Sequence, residues 1–231
     1  MLVDRITVPI QRTPTKALAD QVYVISLPER TDRRARIREL FDAERIPFEF
    51  VDGVRVKWEE MTDPEISEIR WENDKMAAGW EAYCRAAIGC KKAHIHCLER
   101  AAEANLRSLL IFEDDVRFVD GDWYSRFQTA LAELPDGWLQ LYLSAWDFRP
   151  ATPVTPILNR LAGAFQTTAI LYSQDGIEAA LNCVRHARAE IDEWMGLHLH
   201  QYGCSYIIRP HLTFQDGGHS DCRGTTRGIT P

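Results

Sequence analysis

The stretch SLLIFEDDVRF, residues 108–118, runs from an apolar segment directly into three acidic residues. A short apolar run of this kind is typical of a buried β-strand. In open α/β sheets, ligands bind beyond the carboxyl ends of the strands. The stretch therefore predicts a central strand that presents Glu113, Asp114 and Asp115 at the edge of the sheet where ligands bind. Because side chains alternate along an extended chain, we expect Glu113 and Asp115 on one side and Asp114 on the other.

Strand and helix patterns alternate on both sides of this stretch. The predicted strands are VYVISL (22–27), PFEFVDGV (47–54), WLQLYLSAW (138–146), AFQTTAILYS (164–173) and SYIIRP (205–210). The predicted helices begin at Thr31 or Asp32, at Gly89, at Asp122, at Asp175 and at Ile191. Such alternation predicts a single α/β domain, in which helices cover both faces of a mostly parallel sheet.

The domain boundaries follow from where this alternation starts and stops. We expect an N-terminal extension over residues 1–20, one folded domain over residues 21–221 and a C-terminal tail over residues 222–231. Residues 55–80 are polar, and their hydrophobic residues show no clear helix or strand periodicity. We therefore expect a long loop with short helical pieces that borders an active site.

The composition favours a folded protein that has no overall attraction to polyanions. The 231 residues are 45% hydrophobic and carry a formal net charge of −7. This charge disfavours nucleic acids and anionic membranes as partners, although a local basic patch is compatible with it. The opening residues lack the apolar region of an export signal, and no apolar stretch of roughly 18 residues follows. We expect a cytoplasmic protein without a membrane span and with reduced cysteines.

The acidic cluster has the chemistry of a divalent-metal site. Adjacent carboxylates at a half-buried strand end raise one another's pKa unless a cation or hydrogen bonds offset their charges. A hard ion such as Mn²⁺ or Mg²⁺, held by carboxylates and by diphosphate oxygens, fits that requirement. We expect Asp115 to bind the metal directly, and Glu113 to bind the metal or a ribose hydroxyl. The alternative is a solvated acidic turn that caps the helix near Asp122.

Several segments, in the same order, resemble glycosyltransferase family 25, which includes lipooligosaccharide and procollagen galactosyltransferases. The acidic stretch LLIFEDDVRF (109–118) is the most specific of them. The others are VYVISLPERTDRR (22–34), GCKKAHIHCLERA (89–101), TAILYSQDGIEAAL (168–181), IDEWM (191–195) and RPHLTFQDGGHSD (209–221). Ser26, Ala93 and Ile170 depart from the family's usual Asn, Ser and Tyr, and these departures bear on which donor sugar is used.

The resemblance implies a GT-A-like, Rossmann-like fold, so that residues 21–221 would form a glycosyltransferase domain. It also implies a nucleoside-diphosphate sugar donor, UDP-galactose by family habit, with Mn²⁺ assistance and inversion at the anomeric carbon. The acceptor hydroxyl would belong to a glycan, a protein or a small molecule. A role in glycan or lipopolysaccharide biosynthesis follows from the same resemblance.

The opening strand and turn supply the expected donor contacts. The segment that contains Ser26 and Leu27 matches the family's first strand, so the resemblance implies that both contact the donor. Arg30 and Arg33 follow this strand, and their guanidinium groups suit bidentate contacts to a diphosphate. The alternative for the two arginines is a solvated helix start.

Three further residues are candidates for donor binding. Asp52 ends the second predicted strand and is placed to bind uracil or ribose, although it also suits a turn before Gly53. His94 lies within a predicted helix. This position is equally compatible with a contact to the donor and with burial in the core. Asp114 is expected either to contact the donor or to support the turn.

An inverting transfer needs a base for the proton of the acceptor hydroxyl. Asp192 is our first candidate and Glu193 the second, and the neighbouring Trp194 has an aromatic face on which a sugar can stack. The alternative is an ordinary acidic helix start. His219, which lies in the tail near His211 and Asp216, is the candidate third metal ligand. His198, His200 and Cys204 could in principle bind zinc, but their spacing does not match a recognised structural zinc site.

Two other functions remain compatible with the sequence. A nucleotidyltransferase or phosphohydrolase would use the same acids with a metal, but it usually adds a phosphate-binding GxxxxGK[ST] loop, and no such motif occurs here. A non-catalytic module that binds sugar nucleotides would keep the donor site without turnover. Donor binding without release of UDP would distinguish this module from a transferase.

Overall fold

A computed structural model describes residues 15–62, 65, 69, 79–119 and 121–216. The helices are α1 (Thr31–Glu44), α2 (Trp80–Glu103), α3 (Trp123–Glu133), α4 (Gln174–Val184) and α5 (Ile191–His198). Short 3-10 helices cover Trp58–Glu60 and His200–Tyr202. The strands are β1 (Gln21–Ser26), β2 (Glu49–Asp52), β3 (Ser108–Glu113), β4 (Val116–Phe118), β5 (Gln140–Tyr142), β6 (Trp146–Asp147), β7 (Thr152–Pro153), β8 (Leu158–Arg160), β9 (Ala164–Phe165), β10 (Ala169–Ser173), β11 (Ser205–Ile208) and β12 (Thr213–Gln215).

The central sheet has eight strands in the order β2-β1-β3-β10-β5-β11-β8-β7. Strand β1 lies between β2 and β3 and is parallel to both, and β11 is parallel to β5. Strand β10 is antiparallel to both of its neighbours, as β8 is to β7 and β11. All strands except β8 and β10 therefore run in one direction, which confirms the predicted mostly parallel α/β sheet.

Helices cover both faces of this sheet, as the strand pattern predicts. Leu109 and Ile111 of β3 point into one core cluster, which also contains buried residues of α2, α4 and α5. Leu110 and Phe112 point into the other, which contains buried residues of α1 and α3. The alternation along β3 thus separates the two halves of the core, and the near-continuous apolar run of this strand reflects burial on both faces.

Two glycines allow backbones to approach more closely than any side chain would permit. A Cβ on Gly89 would lie 2.2 Å from the carbonyl oxygen of Val54, which fixes helix α2 against the segment after β2. A Cβ on Gly176 would lie 1.8 Å from the carbonyl oxygen of Leu139. These contacts position α2 and α4 on the sheet face behind Glu113.

Several element boundaries differ from the sequence prediction. Helix α2 begins at Trp80 rather than Gly89, because its first turns pack into a small separate cluster with Val56, Met61 and Ile69 instead of the sheet. Arg30, rather than Thr31 or Asp32, is the N-cap of α1, and no side chain caps this helix. The segment 164–173 forms two strands because Gln166 has a positive φ of 80°.

The boundary predicted at residue 21 remains a prediction. Leu18 is 4% exposed and packs in the core, so residues just before this boundary also contribute to the domain. The proposed extension and tail lie largely outside the described residues. Among the described helices, none combines the length and apolar character needed to cross a membrane.

Candidate active site at the carboxyl edge of the sheet

The carboxyl ends of β1, β2, β3, β5 and β11 lie at the same edge of the sheet, because these strands run in one direction. Strand β10 runs the other way, so the residues that precede it lie at this edge too. The edge therefore gathers segments 27–30, 113–115, 143–147, 166–168 and 209–211. Most of the residues singled out in the sequence belong to, or contact, these segments.

Asp114 joins the turn after β3 to strand β1 and helix α1. Its Oδ2 accepts a hydrogen bond from Ser26 Oγ at 2.7 Å, and its Oδ1 accepts one from Arg33 Nη1 at 2.6 Å. Arg36 Nη2 donates to the carbonyl oxygen of Asp114 at 3.2 Å. Three predicted donor-binding residues, Ser26, Arg33 and Asp114, are thus in direct contact, and Asp114 anchors the acidic turn.

Glu113 points to the opposite side of the sheet, toward helix α2. Its Oε1 accepts a hydrogen bond from Thr167 Oγ1 at 2.6 Å and lies 3.4 Å from His94 Nε2 and 3.8 Å from Cys90 Sγ. Burial raises the pKa of Glu113. The hydrogen bond and electrostatic attraction of His94, followed by hydrogen bonds from Thr167 and Cys90, outweigh this effect and leave the pKa lowered. Glu113 is therefore an ionised carboxylate held in a fixed orientation.

Asp115 lies in the turn beyond β3, so strand alternation does not determine its direction. Its Oδ1 is buried and has no hydrogen-bond partner among the residues that the structure describes. Burial, followed by the charges of Glu113 and Asp114, raises the pKa of Asp115 to about 7, although Arg33 offsets part of this effect. The charge of Arg33 therefore offsets only part of the negative charge of the acidic turn, and a bound cation would supply the rest.

Two donor sets near β3 suit different metals. The oxygen atoms of Asp115 and Glu113 fit a hard ion such as Mn²⁺ or Mg²⁺. The described residues also bring Cys90 Sγ, His94 Nε2 and a Glu113 oxygen within 4.8 Å of one another, a set that fits a softer ion. The unpartnered oxygen of Asp115 favours the hard-ion site. The predicted third ligand, His219, lies outside the described residues.

The segment that leads to His219 passes directly beside the acidic turn. Strand β12 pairs with β4, and the backbone N–H of Asp216 donates to the carbonyl oxygen of Asp115 at 2.7 Å. The Asp216 carboxylate forms ion pairs with Arg36 at 3.1 Å and with Arg117 at 2.5 Å. The last described residue of the chain is therefore next to the predicted metal ligand.

Arg30 and Leu27 border the end of β1. Arg30 precedes α1 and binds Asp32 through two hydrogen bonds of 3.0 Å. Leu27 packs against Gly53, where a Cβ would lie 3.1 Å from Leu27 Cδ2. Both residues therefore lie at the β1 end of the sheet edge, beside the turn that Asp114 supports.

Asp52 lies at the neighbouring strand end and is exposed. It accepts a hydrogen bond from Arg34, whose Nη2 also donates to the carbonyl oxygen of Ser26 at 2.7 Å. Arg34 thus ties β1 to β2 at this edge. The position of Asp52 is compatible with the predicted contact to a base or ribose, and with a purely structural ion pair.

Asp192 lies in the first turn of α5, on the Glu113 side of the sheet. Its Oδ2 accepts a hydrogen bond from the backbone N–H of Gln166 and its Oδ1 accepts one from that of Glu193, both at 2.8 Å. Burial raises the pKa of Asp192, and the negative charge of Glu113 adds to this effect. Asp192 and Glu113 are thus within electrostatic reach of one another.

Trp194 faces away from this arrangement. Its Nε1 donates to the carbonyl oxygen of Cys183 at 3.0 Å, and its ring packs against His198 with the centroids 4.2 Å apart. Both side chains line a cavity of about 570 Å³ that also involves Leu139 and Tyr202. Trp194 is therefore not positioned beside Asp192 as a sugar platform.

The zinc alternative at His198, His200 and Cys204 is not assembled in the described part of the chain, where these residues form no ligand cluster. His200 is buried and its Nε2 lies 3.1 Å from the hydroxyl of Tyr142. Burial lowers the pKa of His200 to about 4, so the imidazole is neutral at physiological pH. His200 is a core residue.

Sequence reasoning missed Gln166 and Thr167, which connect Asp192 and Glu113 to the same turn before β10. A signal for them was available in the polar QTT run at 166–168, which interrupts an otherwise apolar segment. The sequence gives no signal for the position of Cys90, because its closeness to Glu113 depends on how α2 packs on the sheet.

Comparison with known proteins places these features in a family context. Residues 19–152 match the family described as glycosyltransferase family 25 (LPS biosynthesis protein). Procollagen galactosyltransferase 1-A of Xenopus laevis is 28% identical over 191 residues, which cover 77% of this chain and 30% of that protein. The matched part thus spans less than a third of this relative.

Two further relatives carry the same family name. A glycosyltransferase 25 family member of Drosophila pseudoobscura pseudoobscura is 29% identical over 118 residues, which cover 48% of this chain and 18% of that protein. The protein named inactive glycosyltransferase 25 family member 3 of Homo sapiens is 27% identical over 152 residues, which cover 63% of this chain and 25% of that protein.

Proposed function

The chain belongs to glycosyltransferase family 25, and from this premise we propose that it transfers a hexose from a UDP-sugar to an acceptor hydroxyl with inversion. The observation that carries the proposal is the buried Oδ1 of Asp115 at the carboxyl edge of the sheet, which accepts no hydrogen bond within the described part of the chain. A nucleoside diphosphate brings two phosphate groups whose charge must be neutralised together with that of the acidic turn. A divalent cation held by the acidic turn would supply positive charge for both.

Asp115 and Glu113 would hold Mn²⁺ or Mg²⁺, with His219 as a further ligand. When bound, the ion supplies positive charge to the β-phosphate oxygens, where negative charge develops as the donor bond breaks. Arg33 and Arg30 add positive charge at the end of β1. Because Arg33 lies 2.6 Å from Asp114, its guanidinium is held in a fixed position beside the proposed diphosphate site.

The donor would lie along the ends of β1, β2 and β3. Ser26 and Asp52 are cross-strand partners at this part of the edge, and Leu27 follows Ser26. We propose that all three contact the uridine. His94 would act indirectly, because its Nε2 lies 3.4 Å from Glu113 and its side chain is fully buried. Its proposed role is to fix the Glu113 carboxylate rather than to touch the donor.

Asp192 would act as the base for the acceptor. The acceptor oxygen forms a bond to the anomeric carbon while the bond from that carbon to the diphosphate breaks. The bonding electron pair leaves with UDP, and the hydroxyl proton passes to the carboxylate of Asp192. The raised pKa of Asp192 makes its carboxylate a stronger base, and a positioned base contributes about 10²–10⁴-fold to such reactions. Glu193 is the alternative base.

Galactose is our proposed donor sugar because of relatives named procollagen galactosyltransferase. The acceptor would be a glycan, a protein or a small molecule, and the family description suggests a place in lipopolysaccharide biosynthesis. We propose a cytoplasmic location on the composition alone.

The experiment is release of UDP from UDP-galactose, UDP-glucose and UDP-N-acetylglucosamine, with Mn²⁺ and with EDTA. We expect turnover with one of these donors that requires the metal and is lost in Asp115→Asn. If none of the donors releases UDP and none shifts the melting temperature, the proposal is wrong.

A non-catalytic donor-binding module is the second candidate, because one human relative is named inactive. This candidate predicts that UDP and Mn²⁺ raise the melting temperature while no donor is consumed, even with a mixture of sugar acceptors present. Turnover of any donor would exclude it.

A further inference from the structure

Two aromatic side chains lie side by side and exposed on the small sheet formed by β6 and β9. Trp146 is 50% exposed and Phe165 is 38% exposed, and the two are direct cross-strand partners. Cross-strand partners present their side chains on the same face of a sheet. Isolated exposed aromatics are ordinary, but a contiguous pair marks an interaction surface more often.

The aromatic pair lies at the same sheet edge as the proposed active site. Strand β6 follows the carboxyl end of β5, and β9 leads into the turn that precedes β10. The residue after Phe165 is Gln166, whose backbone N–H donates to Asp192 at 2.8 Å. A molecule that rests on this pair is therefore beside the carboxylate proposed to receive the acceptor proton.

Phe148 supports Phe165, one member of the pair. Phe148 packs against Phe165 with ring centroids 4.6 Å apart. A Cβ on Gly163 would lie 2.5 Å from the Phe148 ring, and one on Gly196 would lie 2.7 Å from it. Phe148 thus fills a space that both glycines leave open, and it links Phe165 to helix α5, which carries Asp192. A preorganised surface loses less entropy on binding than a mobile one.

Polar groups adjoin the aromatic surface on the side of Asp192. Gln166 Nε2 donates to Gln215 Oε1 at 3.3 Å, and both amides have further hydrogen-bonding capacity. An apolar platform beside amide and carboxylate groups suits a ligand with one apolar face and a rim of hydroxyls. A pyranose ring has that character, because its C–H groups form an apolar face and its hydroxyls project from the edge.

We propose that Trp146 and Phe165 form the acceptor subsite and that the acceptor is a sugar whose pyranose ring stacks on them. This inference rests on the proposed glycosyl transfer and adds to it the acceptor class. The donor would occupy the edge formed by β1, β2 and β3, and the acceptor the edge formed by β5, β6 and β9. Asp192 would lie between the two.

The test is ¹⁹F NMR of the full chain labelled with 5-fluorotryptophan, with the Trp146 signal assigned from Trp146→Phe. Methyl β-D-galactoside and methyl β-D-glucoside are titrated, and sorbitol serves as a polyol without a ring. We expect a saturable shift of the Trp146 signal with at least one glycoside and none with sorbitol.

Binding of that glycoside is then measured by saturation-transfer NMR in variants. We expect Trp146→Ala to weaken it at least tenfold and Trp146→Phe, which keeps a ring, to weaken it less than threefold. Tyr202→Ala is the matched control, because Tyr202 is 69% exposed and precedes β11 at the opposite edge of the sheet. No saturable shift, or equal binding by Trp146→Ala and the wild type, would overturn the inference.

The melting shift caused by UDP and Mn²⁺ separates this inference from the proposed function. If that shift is present in both the wild type and Trp146→Ala while the glycosides fail to bind, the acceptor subsite alone is wrong. If UDP and Mn²⁺ produce no shift and no donor is consumed, the proposed transfer itself is wrong.

Discussion

Replacing Asp115 by Asn is expected to stabilise the metal-free protein at pH 8 and to remove its response to Mn²⁺ and UDP. The side chain keeps its shape and loses its charge. In the wild type that charge is half-buried beside Glu113 and Asp114, and Oδ1 of Asp115 has no hydrogen-bond partner in residues 15–216 where the structure describes them. The substitution therefore separates the stability of the fold from metal binding.

The direction of the pH dependence follows from the raised pKa of Asp115. Its pKa increases from an ordinary 3.8 to about 7 on folding, so ionisation is penalised only in the folded state. Below pH 3.8 the group is protonated in both states and the penalty is absent. The penalty grows between pH 4 and 7 and is complete above 7. The full shift corresponds to about 4 kcal/mol, and solvent screening of this partly exposed group reduces our expectation to about 1–3 kcal/mol.

Urea unfolding of the wild type and Asp115→Asn, in EDTA at pH 4, 6 and 8, measures this effect. We expect the two to agree near pH 4 and the variant to be more stable by about 1–3 kcal/mol at pH 8. Asp136→Asn is the control, because Asp136 is an exposed acid in the turn before β5 at the opposite edge of the sheet. Equal stability of wild type and variant at pH 8 would show that folding does not penalise the Asp115 charge. An unchanged melting shift with Mn²⁺ and UDP would show that Asp115 is not a metal ligand.

Three further substitutions test other parts of the site. Asp192→Asn should reduce kcat for UDP release at least 100-fold while keeping the melting shift with UDP and Mn²⁺, and an unchanged kcat would remove Asp192 as the base. Ser26→Ala should lower the free energy of unfolding by about 1–3 kcal/mol in urea, because buried Asp114 loses a hydrogen bond of 2.7 Å. Gly89→Ala should lower the free energy of unfolding by about 2–3 kcal/mol, because the new Cβ would lie 2.2 Å from the carbonyl oxygen of Val54. A change below about 0.5 kcal/mol would contradict the packing described for α2.

The sequence was sufficient to predict the fold class because the relevant signals are local. The apolar run before Glu113 identified the central strand, and the alternation of Leu109, Leu110, Ile111 and Phe112 is matched by the two halves of the core. The early start of α2 was missed because its first turns pack on a loop cluster rather than on the sheet. No local pattern reports which surface a helix will contact.

The same limit applies to the site. The triplet of acids and the acidic start of α5 could be found as sequence patterns, but their partners come from distant segments. Thr167 contacts Glu113 across 54 residues of sequence, and Gln166 contacts Asp192 across 26. The expected sugar-stacking role of Trp194 failed for a related reason. Trp194 is close to Asp192 in sequence, but its side chain points toward Cys183. Sequence proximity does not give side-chain direction.

Anomalous diffraction from crystals soaked with UDP and Mn²⁺ would show directly whether Asp115 binds the metal. We expect an anomalous peak bonded to a carboxylate oxygen of Asp115 and to the diphosphate of UDP, at the carboxyl end of β3. A peak confined to Cys90, His94 and Glu113, or a diphosphate bound without any metal contact to Asp115, would contradict this expectation.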